Sequence, residues 1–73
     1  MTLQDLRLQA NMTQEEVGRR LNVHQAAVSR WECGRFGISR KYIAPLAGLY
    51  GCSVDELKSA IEETKERVLG NGR

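Results

Sequence analysis

The residues from Gln14 to Glu32, QEEVGRRLNVHQAAVSRWE, leave few choices of fold. Val17 and Leu21 stand one helical turn apart, Asn22 interrupts, and Val28 and Trp31 resume an apolar stripe beyond His24. That pattern is a helix, a tight turn and a second helix. Two small residues, Gly18 and Ala27, fall where helices meeting at a steep angle would crowd each other. A glycine inside a helix costs about 1 kcal/mol relative to alanine, so Gly18 implies a close backbone approach.

The flanking residues extend the helical reading. Leu3, Leu6 and Ala10 recur at intervals of three and four, with Thr2 placed to cap and Asp5 at the positive end of the dipole. Asn11 tolerates the left-handed conformation that closes a helix. Thr13 to Glu16 forms a capping box, with Met12 as a hydrophobic staple to Val17. A third helix is expected from about Gln25 to Cys33, capped by His24 or a neighbour and stopped by Gly34. Arg35 to Ile38 reads as a loop.

Ile43, Leu46, Ala47 and Tyr50 share a face of a fourth helix. An interior proline removes a hydrogen bond and clashes one turn back, so the regular part is expected to start around Tyr42, with Pro45 in its first turn and Gly51 at its end. Ser53 to Glu56 is a second capping box, opening a fifth helix over about 54–68 with Leu57, Ile61 and Val68 along its stripe. Five helices and no strand candidate predict an all-α chain with a single domain over 1–69 and a flexible tail over 70–73.

Composition narrows the function less than distribution does. The 73 residues carry 11 basic and 9 acidic side chains, net +2. Through Tyr42, seven basic residues stand against four acidic ones, and from Ile43 onward four stand against five. The positive field therefore belongs to the front of the chain, mostly as arginine, the better bidentate donor. Cys33 and Cys52 are too far apart for a CxxC redox pair, and one histidine completes no zinc site with them. Both cysteines are expected buried or half-buried, with no metal and no cofactor. No stretch has the length of a membrane span, and the N-terminus lacks a signal-peptide core. No paired carboxylates or nucleophile-base spacing suggests an enzyme.

Thr13-Gln14 opening the second helix, the small Gly18, the turn at Asn22-Val23, apolar Val28, the ending Trp31-Glu32-x-Gly34, and Ser53 to Leu57 opening the last helix together resemble the lambda-repressor/Cro (XRE-like) helix-turn-helix family, over roughly Leu3 to Leu57. Two departures stand out. Asn22 occupies a turn position that is usually glycine, and the loop after Gly34 reads GRFGIS where a polar, often proline-containing run is common. The resemblance implies a five-helix lambda-repressor-like DNA-binding domain whose third helix enters the major groove of double-stranded DNA.

With Val28 and Trp31 turned inward, Gln25, Ala26, Ser29 and Arg30 are the exposed residues of that helix and the candidates for base reading. Gln25 suits adenine N7 and N6, Ala26 a thymine methyl, and Arg30 guanine O6 and N7 or a phosphate. The resemblance gives Gln14 a phosphate contact. Arg35, Arg40 and Lys41 are further phosphate candidates, as is His24 when protonated. It also pairs Arg7 with Glu32 as a structural salt bridge fixing the angle between the first and third helices.

A single module reads only a few base pairs, so a homodimer is expected, with Tyr50, Cys52, Leu57, Ile61 and Val68 as contact candidates. The function implied is a sequence-specific transcriptional regulator, a repressor on a (pseudo)palindromic operator, with a regulatory protein partner possible. Alternatives are a restriction-modification controller, the antitoxin of a toxin-antitoxin pair, or a protein-interaction module that keeps the fold without DNA binding. A prokaryotic or phage-encoded cytoplasmic protein is the matching location.

Overall fold

Five helices follow one another along the chain: α1 Leu3–Gln9, α2 Gln14–Leu21, α3 Gln25–Cys33, α4 Arg40–Tyr50 and α5 Val54–Asn71. The computed structural model describes residues 1–34 and 37–71, the last four by backbone alone. Among the described residues there is no strand. Of the expected tail, residues 70 and 71 continue α5, and Gly72 and Arg73 lie outside the described residues.

The starts of α1, α2 and α5 follow from short polar side chains that satisfy free N–H groups. Thr2 Oγ1 accepts from the Asp5 N–H at 3.2 Å while the Thr2 N–H donates to Asp5 Oδ2 at 2.9 Å. Ser53 and Glu56 make the same reciprocal pair at 3.0 and 2.9 Å. At α2 only half of the expected box forms. Thr13 Oγ1 accepts from the Glu16 N–H at 3.1 Å, but the Glu16 carboxylate instead lies 3.7 Å from the Arg20 guanidinium one turn along, a favourable spacing for opposite charges.

Three of the helix ends share one geometry. Asn11, Asn22 and Gly51 take positive φ of 58°, 58° and 70°. The following N–H of Met12, Val23 or Cys52 reaches back to the carbonyl of Arg7, Gly18 or Ala47 at 3.2, 2.8 and 3.0 Å. This is the Schellman closure, which pairs otherwise orphaned carbonyls. Each of those three following residues is partly buried against the core, so every turn is pinned by both a hydrogen bond and an apolar contact.

The fourth helix departs from expectation. It begins at Arg40, not near Tyr42, after Ser39 at the cap position, and the Tyr42 N–H donates to the Ser39 carbonyl at 2.9 Å. Pro45 therefore sits in the second turn, where it denies a bond to the Lys41 carbonyl. The physical reason lies on the opposite side of the helix. Pro45 is exposed, whereas Leu46, Ala47 and Tyr50 are buried. Burying a large apolar side chain contributes about 1.5–3 kcal/mol, and together these offset an interior proline at about 3 kcal/mol.

The core draws Leu3 and Leu6 from α1, Val17 from α2, Val28 and Trp31 from α3, Leu46, Ala47 and Tyr50 from α4, and Leu57 and Ala60 from α5. The Trp31 ring meets Tyr42 at a centroid distance of 5.4 Å and a tilt of 44°, within the range where aromatic pairs add about 0.5–1.5 kcal/mol beyond burial. A buried polar tie joins the two ends of the fold. The Leu3 N–H donates to Thr64 Oγ1 at 3.0 Å, and the Thr64 hydroxyl donates to the Ala60 carbonyl at 2.7 Å.

Candidate nucleic-acid interface

The angle between α2 and α3 is set by Gly18. A β-carbon there would stand 2.8 Å from the Val23 carbonyl oxygen and 3.3 Å from the Gln25 nitrogen. The close approach implied by this glycine is thus to the backbone of the turn, not to the facing helix at Ala27. Asn22 turns the chain in the left-handed region and His24 begins α3. The His24 Nδ1 accepts from the Ala26 N–H at 3.1 Å.

That cap bears on the phosphate role expected of His24 when protonated. An imidazolium carries a proton on Nδ1 and cannot accept, so the cap requires the neutral ring. Only the Nε2 edge of the exposed ring is left for a phosphate. The protonated contact would come at the expense of the helix start.

Beyond the cap, Gln25, Ala26, Ser29 and Arg30 are all exposed, while Val28 is fully buried and Trp31 is 7% exposed. The structure therefore brings the four expected reading residues onto the outer side of one helix. Cys33 corrects the expectation of burial. It is exposed and free, because it lies two residues past Trp31 and so points away from the core, while Cys52 is half-buried. Burial pushes the Cys52 thiol above its ordinary value.

Behind α3 lies a chain of polar contacts. Arg7 Nε donates to Glu32 Oε2 at 2.6 Å and its Nη2 to Oε1 at 3.2 Å, while Nη1 donates to the Met12 carbonyl at 2.9 Å. The two side chains retain 10% and 8% exposure, and the hydrogen bond to Glu32 holds the Arg7 guanidinium above its ordinary pKa. Gln14 joins the same carboxylate, its Nε2 donating to Glu32 Oε1 at 2.9 Å. The Gln14 Oε1 in turn accepts from Gln25 Nε2 at 3.4 Å, long for an N–H···O bond.

Since a carboxylate only accepts, Glu32 orients the Gln14 amide with nitrogen inward and oxygen toward Gln25. One amide hydrogen of Gln14 is thereby committed to Glu32, and one remains for a phosphate. The pairing of Arg7 with Glu32 was implied by the family resemblance, but the link through Gln14 to Gln25 was not. It depends on the angle between α2 and α3.

The other phosphate candidates are placed unevenly. Arg40 is exposed at the start of α4, and Lys41 is exposed with its Nζ 5.2 Å from the centroid of the Tyr42 ring. Arg35 lies outside the described residues. Of the expected dimer contacts, Leu57 is fully buried in the core and Tyr50 is 8% exposed. Both are corrected to core residues, because the stripe to which they belong packs within the chain, and burial raises the Tyr50 phenol well above its ordinary value. Cys52 and Ile61 are half-buried, and the Val68 side chain lies outside the described residues.

Thr64 is the polar residue whose role the sequence concealed. Its signal was faint: it continues the spacing of Leu57 and Ala60, and so stands as a hydroxyl on an apolar face. Among the described residues no cluster of His, Cys, Asp or Glu can hold a metal ion, and no helix is long and apolar enough to cross a membrane.

A capped helix with an exposed polar side, braced at a tight turn by a second helix, defines a helix-turn-helix module. A profile of the helix-turn-helix family matches residues 3–57, and the chain belongs to that lambda-repressor/Cro-like family of DNA-binding proteins. It is similar to the HTH-type transcriptional activator BcrR of Enterococcus faecalis, with 33% identity over 60 residues, covering 82% of this chain and 29% of that protein. The chain thus spans less than a third of that relative's length. No solved structure matches it.

Proposed function

We propose that this chain is a sequence-specific transcriptional regulator that binds double-stranded DNA as a dimer on a (pseudo)palindromic operator, with α3 in the major groove. The observation that carries the reading is the exposed row Gln25, Ala26, Ser29 and Arg30 on a helix whose start is capped and whose first residue is in contact with Gln14. Gln25 is the adenine reader, Ala26 packs on a thymine methyl, and Ser29 and Arg30 contact base edges further along. Gln14 with its remaining amide hydrogen, the Nε2 edge of His24, and the exposed cations Arg40 and Lys41 position the backbone.

Repression by occupying a promoter is the direct consequence of such binding. Activation is the second reading, favoured by the relative from Enterococcus faecalis, which is described as an activator. A reporter behind the selected operator separates them. Repression predicts reporter output that falls as the chain is expressed, and rising output assigns activation. Binding itself is tested by selection from a random DNA pool at moderate salt, because phosphate contacts alone give affinity without an enriched motif.

A further inference from the structure

Glu32, Gln14 and Gln25 form a line of polar groups from the interior to the face proposed for DNA. The Glu32 side chain is 8% exposed, Gln14 is half-buried and Gln25 is exposed. At the inner end both carboxylate oxygens accept from Arg7, and Oε1 also accepts from Gln14 Nε2 at 2.9 Å. An amide carries its donor and its acceptor on different arms, so fixing the inner arm fixes the outer one, and the Gln14 oxygen faces Gln25. That contact is long at 3.4 Å, yet its sign is definite. The oxygen attracts the Gln25 amide hydrogens and repels the Gln25 carbonyl.

We infer that Glu32 is a positioning residue for base specificity, whose carboxylate, acting through Gln14, makes the base met by Gln25 adenine and not guanine. The inference rests on the reading of Gln25 as a base-contacting residue given above. With one amide hydrogen turned to Gln14, Gln25 offers the duplex its second hydrogen and its carbonyl oxygen. A donor beside an acceptor matches the N7 acceptor and N6 donor of adenine. Guanine presents two acceptors, N7 and O6, so its O6 would meet the Gln25 carbonyl oxygen with no hydrogen between them.

Turned the other way round, Gln25 would present both amide hydrogens and suit guanine instead. The terminal torsion of a glutamine is broad and imposes little preference of its own. What opposes the turn is the Gln14 oxygen, held outward by Glu32. The ion pair that braces α1 against α3 therefore also sends a polarity to the reading surface.

The test is the ratio of affinities for the selected operator carrying A·T or G·C at the position relaxed by Gln25→Ala, changed in each half-site and measured by fluorescence anisotropy at fixed salt. It is run on the full chain as wild type, Gln14→Met, Gln14→Lys and Glu32→Gln, with thermal denaturation of each. The wild type favours adenine. Gln14→Met keeps the pair of Arg7 and Glu32 but offers Gln25 no acceptor, and the ratio falls about tenfold. Lysine has donors only, so Gln14→Lys draws the Gln25 carbonyl inward and moves the preference toward guanine. Glu32→Gln lets the Gln14 amide sit either way round, and the ratio falls there too at temperatures well below melting.

Loss of a phosphate contact or of stability lowers affinity for both operators alike, so a merely structural role leaves the ratio where it was. An unchanged ratio in both Gln14 variants overturns the inference and leaves Gln25 as a base reader. Those two variants also decide the matter if Glu32→Gln does not fold, because they leave the buried ion pair intact. A ratio moved by the Gln14 substitutions but not by a folded Glu32→Gln overturns the role of Glu32. A wild-type preference for a base other than adenine at that position overturns the stated polarity, whereas a motif indifferent to Gln25→Ala overturns the underlying base reading itself.

Discussion

Gly18 and Val23 are in such close approach that a methyl group on the first would stand 2.8 Å from the carbonyl oxygen of the second. The same two residues share the hydrogen bond that closes α2, with the Val23 N–H 2.8 Å from the Gly18 carbonyl. The turn between α2 and α3 therefore has no slack at this point.

Gly18→Ala is expected to destabilise the fold in spite of alanine's helical preference. The preference contributes about 1 kcal/mol, whereas forcing extra volume into close-packed backbone costs about 1–3 kcal/mol. A net loss of up to about 2 kcal/mol in urea denaturation, with weakened DNA binding, is the expected outcome. A stabilised variant would show that the turn yields.

Glu32→Ala removes the acceptor of both Arg7 and Gln14 and leaves a nearly buried guanidinium unpaired. Breaking one partner of a buried pair costs about 3–5 kcal/mol, and with about a tenth of each side chain exposed the expectation is near the lower figure. The melting temperature and DNA affinity should fall together. Loss of affinity with unchanged stability would make Glu32 a DNA-contact residue and not a scaffold one.

Thr64→Val keeps the shape of the side chain and deletes the acceptor of the Leu3 N–H. An unsatisfied buried donor costs about 1–3 kcal/mol. Thr64→Ser, which keeps the hydroxyl, should retain most of the stability. A Thr64→Val protein as stable as the wild type would show that the hydrogen bond does not hold these ends together.

The two reciprocal caps give a pH dependence of definite sign. Backbone hydrogen bonds from Thr2 and Ser53 hold the Asp5 and Glu56 carboxylates below their ordinary pKa values. A depressed folded-state value means stabilisation that is complete above the ordinary carboxylate range and is lost as pH falls through the folded value. Asp5→Asn combined with Glu56→Gln should therefore lower the melting temperature at about pH 7 and make no difference at about pH 2. A gap of the same size at both pH values would remove the carboxylate charges from the explanation.

The order and extent of α1, α2 and α3 were legible because each start carries a capping residue and each end carries Asn or Gly, signals that act within a few residues. α4 was misplaced at its start because the penalty for Pro45 is local while its compensation, burial of Leu46, Ala47 and Tyr50, is tertiary. The same limit explains Leu57 and Tyr50. An apolar stripe announces that something covers it, but not whether the cover is the same chain or a second one. The outer row of α3 was readable from Val28 and Trp31 alone, whereas the Glu32–Gln14–Gln25 link needed the helices in place.

Selection of double-stranded DNA from a random pool, repeated with Gln25→Ala, tests the role of α3 most directly. The wild type should enrich a motif of two inverted half-sites about one helical turn apart. The Gln25→Ala protein should relax preference at one symmetry-related base position, weakening discrimination there by about 1–3 kcal/mol. Absence of any enriched motif for the wild type, or a motif unchanged by the substitution, would contradict base reading through α3.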